Sequence, residues 1–274
     1  TANKRGRAWG SRSRPGSPLP TRARFAPRTS IKAGAASSSL FPSRPIESWS
    51  SKAPMTLSRE SRYVPALGFH WLTPGYDAVA GATTRERRFK EALIRQARFE
   101  PGHRVLDLAC GTGTLAVWIK QHEPRAEVTG VDADPQVLSM ASRKEREAGV
   151  SMTLGCAMSH ELPYPAANFD RVVSSLFFHH LSWANKERTA RELFRVVKPG
   201  ASLHIADWGR AGNIVMRGLF LSIQALDGFG NTNDNVRGRL VPLFERAGFV
   251  EVSERRTFST IYGTMALYRA VRPT

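Results

Sequence analysis

The sequence predicts an α/β protein built on a doubly wound, mostly parallel sheet, and three observations predict it. From about residue 85 onward, short apolar runs alternate with amphipathic stretches. The runs close on acidic or glycine turns, as in "RVLDLACGTG" and "EVTGVDADP". The apolar period changes at each turn from a continuous run to one face of a helix, which is the signature of repeated βα units.

Taken in order, residues 84–99 read as a helix with Phe89, Leu93 and Ala97 on one face. "PGHRVLDLA" is a turn and a buried strand, and 114–121 is a helix. "AEVTGVD" is the second strand, after which Asp134 caps a helix that opens on Pro135 and stops at Gly149. "SMTLGC" and "FDRVVSS" are the third and fourth strands. A helix between Ser182 and Gly200 has Ala190, Leu193, Phe194 and Val197 at core spacing; "KPG" ends it before the strand "SLHIAD". Beyond this, 213–226 reads as an apolar helix, "DGFGNTNDN" as a loop and 236–247 as a helix closed by Gly248. "FVEVSERRTFS" and "TMALYRAV" are two strands that pair antiparallel at the sheet edge.

A chain of 274 residues with 41% apolar content buries one sizeable core. It has no uncharged apolar run of bilayer-spanning length. Cys110 and Cys156 lie far apart without close Cys or His partners, which argues against a zinc site and for a reducing, cytoplasmic setting. No metal is expected. The net charge of +17 is unevenly spread: residues 1–54 carry eleven Lys or Arg against the single acid Glu47, and residues 55–274 carry 29 basic against 22 acidic side chains. The organisation expected is a basic, disordered extension over 1–54, a helical cap over 55–100, and a catalytic domain over 101–274 with a helical lid near 210–235. The extension has three readings: an organelle transit peptide, a nucleic-acid-binding arm, or sequence translated upstream of a start at Met55.

Gly111 and Gly113 follow the first strand, where an α/β sheet binds ligands beyond its carboxyl edge. Nineteen residues past Gly113, Asp132 closes the second strand, placed to accept ribose hydroxyls. "GTGTLA" also satisfies the dinucleotide pattern with Ala116 in third place, so an NAD-dependent oxidoreductase stands as an alternative.

The wider set of residues resembles the class I S-adenosylmethionine-dependent methyltransferases. "VLDLACGTG", "GVDADP", "ELPYPAANFDRVV" and "ELFRVVKPGASLHIAD" are similar to successive motifs of that family, over about Tyr76 to Ala270. The resemblance implies a seven-stranded, Rossmann-like methyltransferase sheet with an antiparallel edge strand. By it, S-adenosyl-L-methionine is the cofactor: Asp107, Ala109, Gly111 and Gly113 surround its methionine end, Asp132 holds its ribose and Ala133 flanks its adenine. Where relatives often carry an acid for the adenine amino group this chain has Cys156, a weak acceptor, so recognition shifts to the backbone of Ala157 and Met158. Tyr76 closes over the cofactor, and Ser175 and Leu176 lie near the sulfonium.

If the acceptor needs a base, His180, His179 and Asp207 are the candidates, with His180 first. The general layout resembles the ubiquinone and menaquinone C-methyltransferases, although "FFHH" stands where those usually read Gly-Ile-Arg-Asn. The lid, with Met216, Leu219, Phe220 and Phe229, is read either as a cap over a small, apolar, aromatic or lipid-like acceptor or as a helix buried for stability. An RNA or protein methyltransferase, recruited to its polymer by the basic arm Lys4 to Arg44, is the alternative substrate class.

Overall fold

The computed structural model describes residues 86–227 and 229–274, together with the side chains of all of these except 222, 223, 225–227 and 229. Tyr76, the 1–54 extension and most of the expected cap lie outside the described residues, as does the side chain of Phe229.

The first described element, α1 (Glu86–Ala97), buries Phe89, Leu93 and Ala97 completely. Then follow β1 (Arg104–Leu108), α2 (Thr114–His122), β2 (Glu127–Asp132), α3 (Pro135–Ala148), β3 (Thr153–Cys156) and β4 (Phe169–Ser175). A single short helical turn, Phe178–His180, separates β4 from α4 (Trp183–Val196). The chain finishes with β5 (Val197–Trp208), α5 (Ile214–Asp227), α6 (Phe229–Val236), α7 (Leu240–Arg246), β6 (Val250–Thr260) and β7 (Gly263–Val271).

The strands form one seven-stranded sheet in the order β3-β2-β1-β4-β5-β7-β6. β1 runs parallel to both β2 and β4, so the winding reverses there and the loops beyond the carboxyl ends of these strands splay apart. β7 is antiparallel and inserts between β5 and β6, so the sheet holds two antiparallel pairings, both made by β7. That arrangement departs from the all-parallel dinucleotide sheet, in which the sixth strand extends the parallel set.

Successive residues of β1 alternate between two cores. Leu106 and Leu108 pack with Phe178, Leu193, Phe244 and Tyr268 on one face, and Val105 packs with Phe89, Leu115 and Leu267 on the other. Both faces are covered, which is why the parallel strands read as unbroken apolar runs rather than alternating ones.

α3 ends as its residues dictate: the Asp134 carboxylate accepts from the Gln136 N–H at 2.8 Å, and Gly149 stops the helix with φ 63°. Other boundaries differ from expectation. "KPG" does not terminate α4 but lies inside β5. The helix stops at Val196, where the Arg272 guanidinium, from the far end of the chain, donates to the carbonyls of Phe194, Arg195 and Val197. The stretch read as the loop "DGFGNTNDN" holds α6, whose asparagines are weak helix formers. Tertiary bonds hold it instead, with Asn231 donating to the His180 carbonyl at 3.1 Å and Gln224 to the Thr232 hydroxyl at 3.2 Å. The helix expected over 236–247 is shorter, because Gly238 adopts φ 70° and closes α6 by donating to the Asn235 carbonyl.

Candidate active site

The turn from β1 into α2 is made of backbone conformations that side chains resist. Ala109 has φ 54°, Gly111 φ 53° and Gly113 φ 78°. A Cβ on Gly113 would come within 2.9 Å of Ala141, so this glycine lets α3 close against the loop; a Cβ on Gly111 would meet nothing within 4 Å, leaving the space in front of it open. Ala109 carries a Cβ in the left-handed region at a strain of about 1 kcal/mol.

Asp132 ties this turn to the tip of β2. One carboxylate oxygen accepts from the Gly111 N–H at 2.9 Å and the other from the Asp134 N–H at 3.0 Å. Each oxygen keeps lone-pair capacity for a further donor. At the tip of β3 the Cys156 thiol donates to the Ala133 carbonyl at 3.7 Å. Burial, followed by the carboxylates of Asp132 and Asp134, raises its pKa and keeps it protonated. The Ala157 N–H donates to the Asp132 carbonyl at 3.0 Å, so of the two backbones expected to meet adenine, the Ala157 amide is already engaged; Met158 follows it on the same loop.

Asp107, in the strand that leads into this turn, is 1% exposed, and its Oδ2 is a buried oxygen with no hydrogen-bond partner among the described residues. Burial pushes its pKa up to about 7, against the pull of the Lys90 ammonium and with the help of the Asp132 charge. Lys90, itself buried, is ion-paired with Glu86 on α1.

On the other side of β1, the Ser174 hydroxyl donates to the Leu108 carbonyl at 2.8 Å and the Leu176 N–H to the Ala206 carbonyl at 2.8 Å. These bonds hold Ser175 and Leu176 at the carboxyl end of β4, with Leu176 at φ 56°.

Asp207, at the end of β5, is a hub. Its Oδ2 accepts from the N–H groups of Phe177 and Phe178 at 3.1 and 2.6 Å; its Oδ1 accepts from Trp208 N–H at 2.7 Å, Asn235 Nδ2 at 3.1 Å and His179 Nδ1 at 2.7 Å. Burial alone would raise its pKa, but His179 and the backbone donor outweigh it and hold the carboxyl below the usual range. Asp207 is therefore an anion surrounded by donors. A carboxylate can only accept, so His179 carries its proton on Nδ1 and Nε2 is its basic nitrogen. The His180 ring lies 4.0 Å from the His179 ring, centroid to centroid, and burial followed by the nearby His179 drives its pKa down to about 3. His180 is thus a neutral ring, and His179 is the histidine bonded to Asp207.

Several members of this site escaped the sequence reading. Asn235 and Asn231 come from the asparagine-rich stretch taken for a loop. Lys186 is completely buried, donates to the Asn231 carbonyl at 2.5 Å and faces Asp234 at 3.5 Å. It did leave a signal: Lys186 precedes Ala190 and Leu193 at helical spacing, a lysine on an apolar stripe. On α5, Phe220 is buried edge-on against Trp208 with centroids 5.4 Å apart, Met216 is half-buried, and Leu219 is 38% exposed.

Residues 105–200 match a family model described as "Methyltransferase domain". The demethylmenaquinone methyltransferase of Thermus thermophilus is 32% identical over 142 residues, 51% of this chain and 64% of that protein. The ubiquinone/menaquinone biosynthesis C-methyltransferase UbiE of Bordetella avium is 32% identical over 145 residues, 52% of this chain and 56% of its own length. The matched region thus spans less than two thirds of these relatives. The solved phosphoethanolamine N-methyltransferase 2 of Haemonchus contortus superposes with a TM-score of 0.56 at 16% identity, over 68% of this chain and 53% of that one. The [4+2]-cyclase SpnF superposes with 0.55 at 20% identity, over 68% and 80%. Likeness at these identities shows a shared fold, and the two titles name different chemistries on it.

Proposed function

We propose that this chain, in which residues 105–200 match a methyltransferase-domain family model, transfers the methyl group of S-adenosylmethionine to a small apolar or aromatic acceptor. The observation that carries the reading is the turn at the tips of β1 and β2, where Asp132 braces the Gly111 amide and Asp107 Oδ2 has no partner among the described residues. An uncompensated carboxyl oxygen in a buried site suits a ligand with a cationic amine, and open space in front of Gly111 suits close approach of a ligand to the backbone. The residues present therefore fit S-adenosylmethionine.

When bound, that cofactor supplies a methyl group already made electrophilic by its sulfonium. The protein's task is then alignment and exclusion of water. Asp132 offers its remaining lone pairs to ribose hydroxyls, Asp107 faces the amine, and Ala133, Cys156 and Met158 flank the adenine. Ser175 and Leu176 border the methyl-bearing end. On the acceptor side, His179 takes the proton of an acidic carbon or hydroxyl on Nε2, while Asp207 fixes its tautomer and orientation. His180 packs against it and shapes the pocket.

The acceptor class rests on two supports. Trp208 and Phe220 place aromatic surface next to the His179 ring, and relatives at about 30% identity carry quinone-type names. Calorimetry separates the cofactor readings: S-adenosylhomocysteine is expected to bind and NADH is not, and the reverse result would refute the assignment. Labelled methyl donor incubated with reduced naphthoquinones and simple phenols then tests the acceptor class, with label expected in the organic-soluble product.

A further inference from the structure

The outward face of α5 is apolar where a surface helix is ordinarily polar. Ile214 is 86% exposed, Val215 62% and Leu221 47%, with Leu219 beside them at 38%. Ile261, 57% exposed, stands in the turn between β6 and β7. That turn lies against the same helix, since a Cβ on Gly263 would come within 2.9 Å of the Phe220 ring. The segment entering α5 is pinned to β7 as well: Gly209 N–H donates to the Thr264 carbonyl at 2.9 Å and Gly212 N–H to the Thr264 hydroxyl at 3.2 Å. Of the large apolar side chains exposed among the described residues, Val250 is the one that falls outside this zone. Scattered apolar residues are normal on a protein surface, but a contiguous set on one helix and the turn beside it marks a contact surface.

The charges around it indicate what covers it. From Trp208 to Leu226 the chain has no acidic residue but contains Arg210 and Arg217, and from Arg255 to Val271 it again has none. Glu254 lies near Arg210, while Arg255 and Arg256 are exposed on the strand leading to the Ile261 turn. A second protein surface would need acidic groups to match these arginines as well as an apolar patch. An anionic bilayer offers both at once, phosphate charge at the headgroups and hydrocarbon below them.

We infer that α5 and the β6–β7 turn form a surface that docks on anionic lipid bilayers, with Ile214, Val215, Leu221 and Ile261 entering the headgroup boundary and the neighbouring arginines meeting lipid phosphates. The inference stands on this exposed face and does not require the methyl-transfer reading. Because α5 also contributes Phe220 to the acceptor side, an acceptor dissolved in the membrane would enter beside the surface that binds it.

The test is co-sedimentation of the full chain with vesicles of phosphatidylcholine alone and of phosphatidylcholine with phosphatidylglycerol in equal parts. Binding is expected to the anionic vesicles and to be weakened about tenfold or more in the combined variant Ile214→Ser, Val215→Ser, Leu221→Ser. All three positions are exposed, so the fold should tolerate the change. Val250→Ser, the same kind of substitution outside the zone, is expected to leave binding as it was. The inference is overturned if the wild-type chain ignores anionic vesicles, or if the combined variant binds them undiminished, which would assign binding to the basic N-terminal residues. It is equally overturned if light scattering shows a wild-type dimer that the variant dissolves while vesicle binding stays unchanged, which would make the face a contact between two copies. None of these readouts involves the cofactor, so failure here leaves S-adenosylhomocysteine binding to stand or fall by itself.

Discussion

The two sides of β1 solve the same problem, the burial of carboxylates beyond the ends of strands, in opposite ways. On the β2 side, Asp132 is braced by amides from its own loop and the loop next to it, and Asp107 is left without a partner for one oxygen. On the β4–β5 side, Asp207 is surrounded by donors from the β4 tip, its own strand and helix α6. One acid is held above its ordinary range and the other below it. An acid left underpartnered is poised to receive a cationic ligand, whereas a fully bonded one is a fixed charge that orients its neighbour. The β2 side is thus arranged to bind and the β5 side to position.

The sharpest way to break this contrast is at His179. His179→Gln keeps a donor toward Asp207 but removes the basic nitrogen. It is expected to lower turnover by roughly a hundredfold to ten-thousandfold, while affinity for S-adenosylhomocysteine, read by calorimetry, stays within about twofold. Equal loss of both quantities would make His179 merely structural. Asp132→Ala attacks the other side. It is expected to weaken S-adenosylhomocysteine about a hundredfold, the order of a lost charge-assisted hydrogen bond, and thermal melting of the same variant checks that the loop survives.

Ligand-free stability should respond to pH through Asp107. Its native pKa of about 7 lies above the ordinary 3.8, so the native carboxyl holds its proton where the unfolded one has lost it. Its contribution is full below about pH 4 and is lost as the pH rises through 7, an effect on the order of a few kcal/mol. Denaturant unfolding across this range should show that loss in the wild type and not in Asp107→Asn. Proton release on binding S-adenosylhomocysteine near pH 7 would report the same group, since the ligand's amine favours the ionised form. His204 acts in the opposite sense. Burial and the nearby Arg171 and Arg269 hold it at about 3, so its contribution is lost as the pH falls below the ordinary 6.5. The smallest expected effect is Ala109→Gly, which relieves the left-handed strain at φ 54° and should stabilise by about 1 kcal/mol at most, less whatever the more flexible unfolded chain returns. A rise of a few degrees in melting temperature would show it.

What could be read from the chain follows the same division. The sheet through β5, the cap at Asp134, the stop at Gly149 and the pairing of Gly111 with Asp132 all rest on residues close in sequence or on strand tips that the βα repeat brings together. α6 was misread because "NTNDN" favours turns by itself, and its helix exists through Lys186, His180 and Asp207. The end of α4 differs from the expected one because Arg272, which bonds its last carbonyls, lies 78 residues further along the chain.

The sequence by itself determined the alternation of strands and helices, the glycine turn and the two acids beside it, because apolar period, backbone freedom and capping are local properties of the chain. Only the tertiary structure decided that β7 lies inside β6, that donors from several segments surround Asp207, and that His179 is bonded to it. Those outcomes depend on desolvation and on donors contributed from distant segments, and neither exists until the chain has packed.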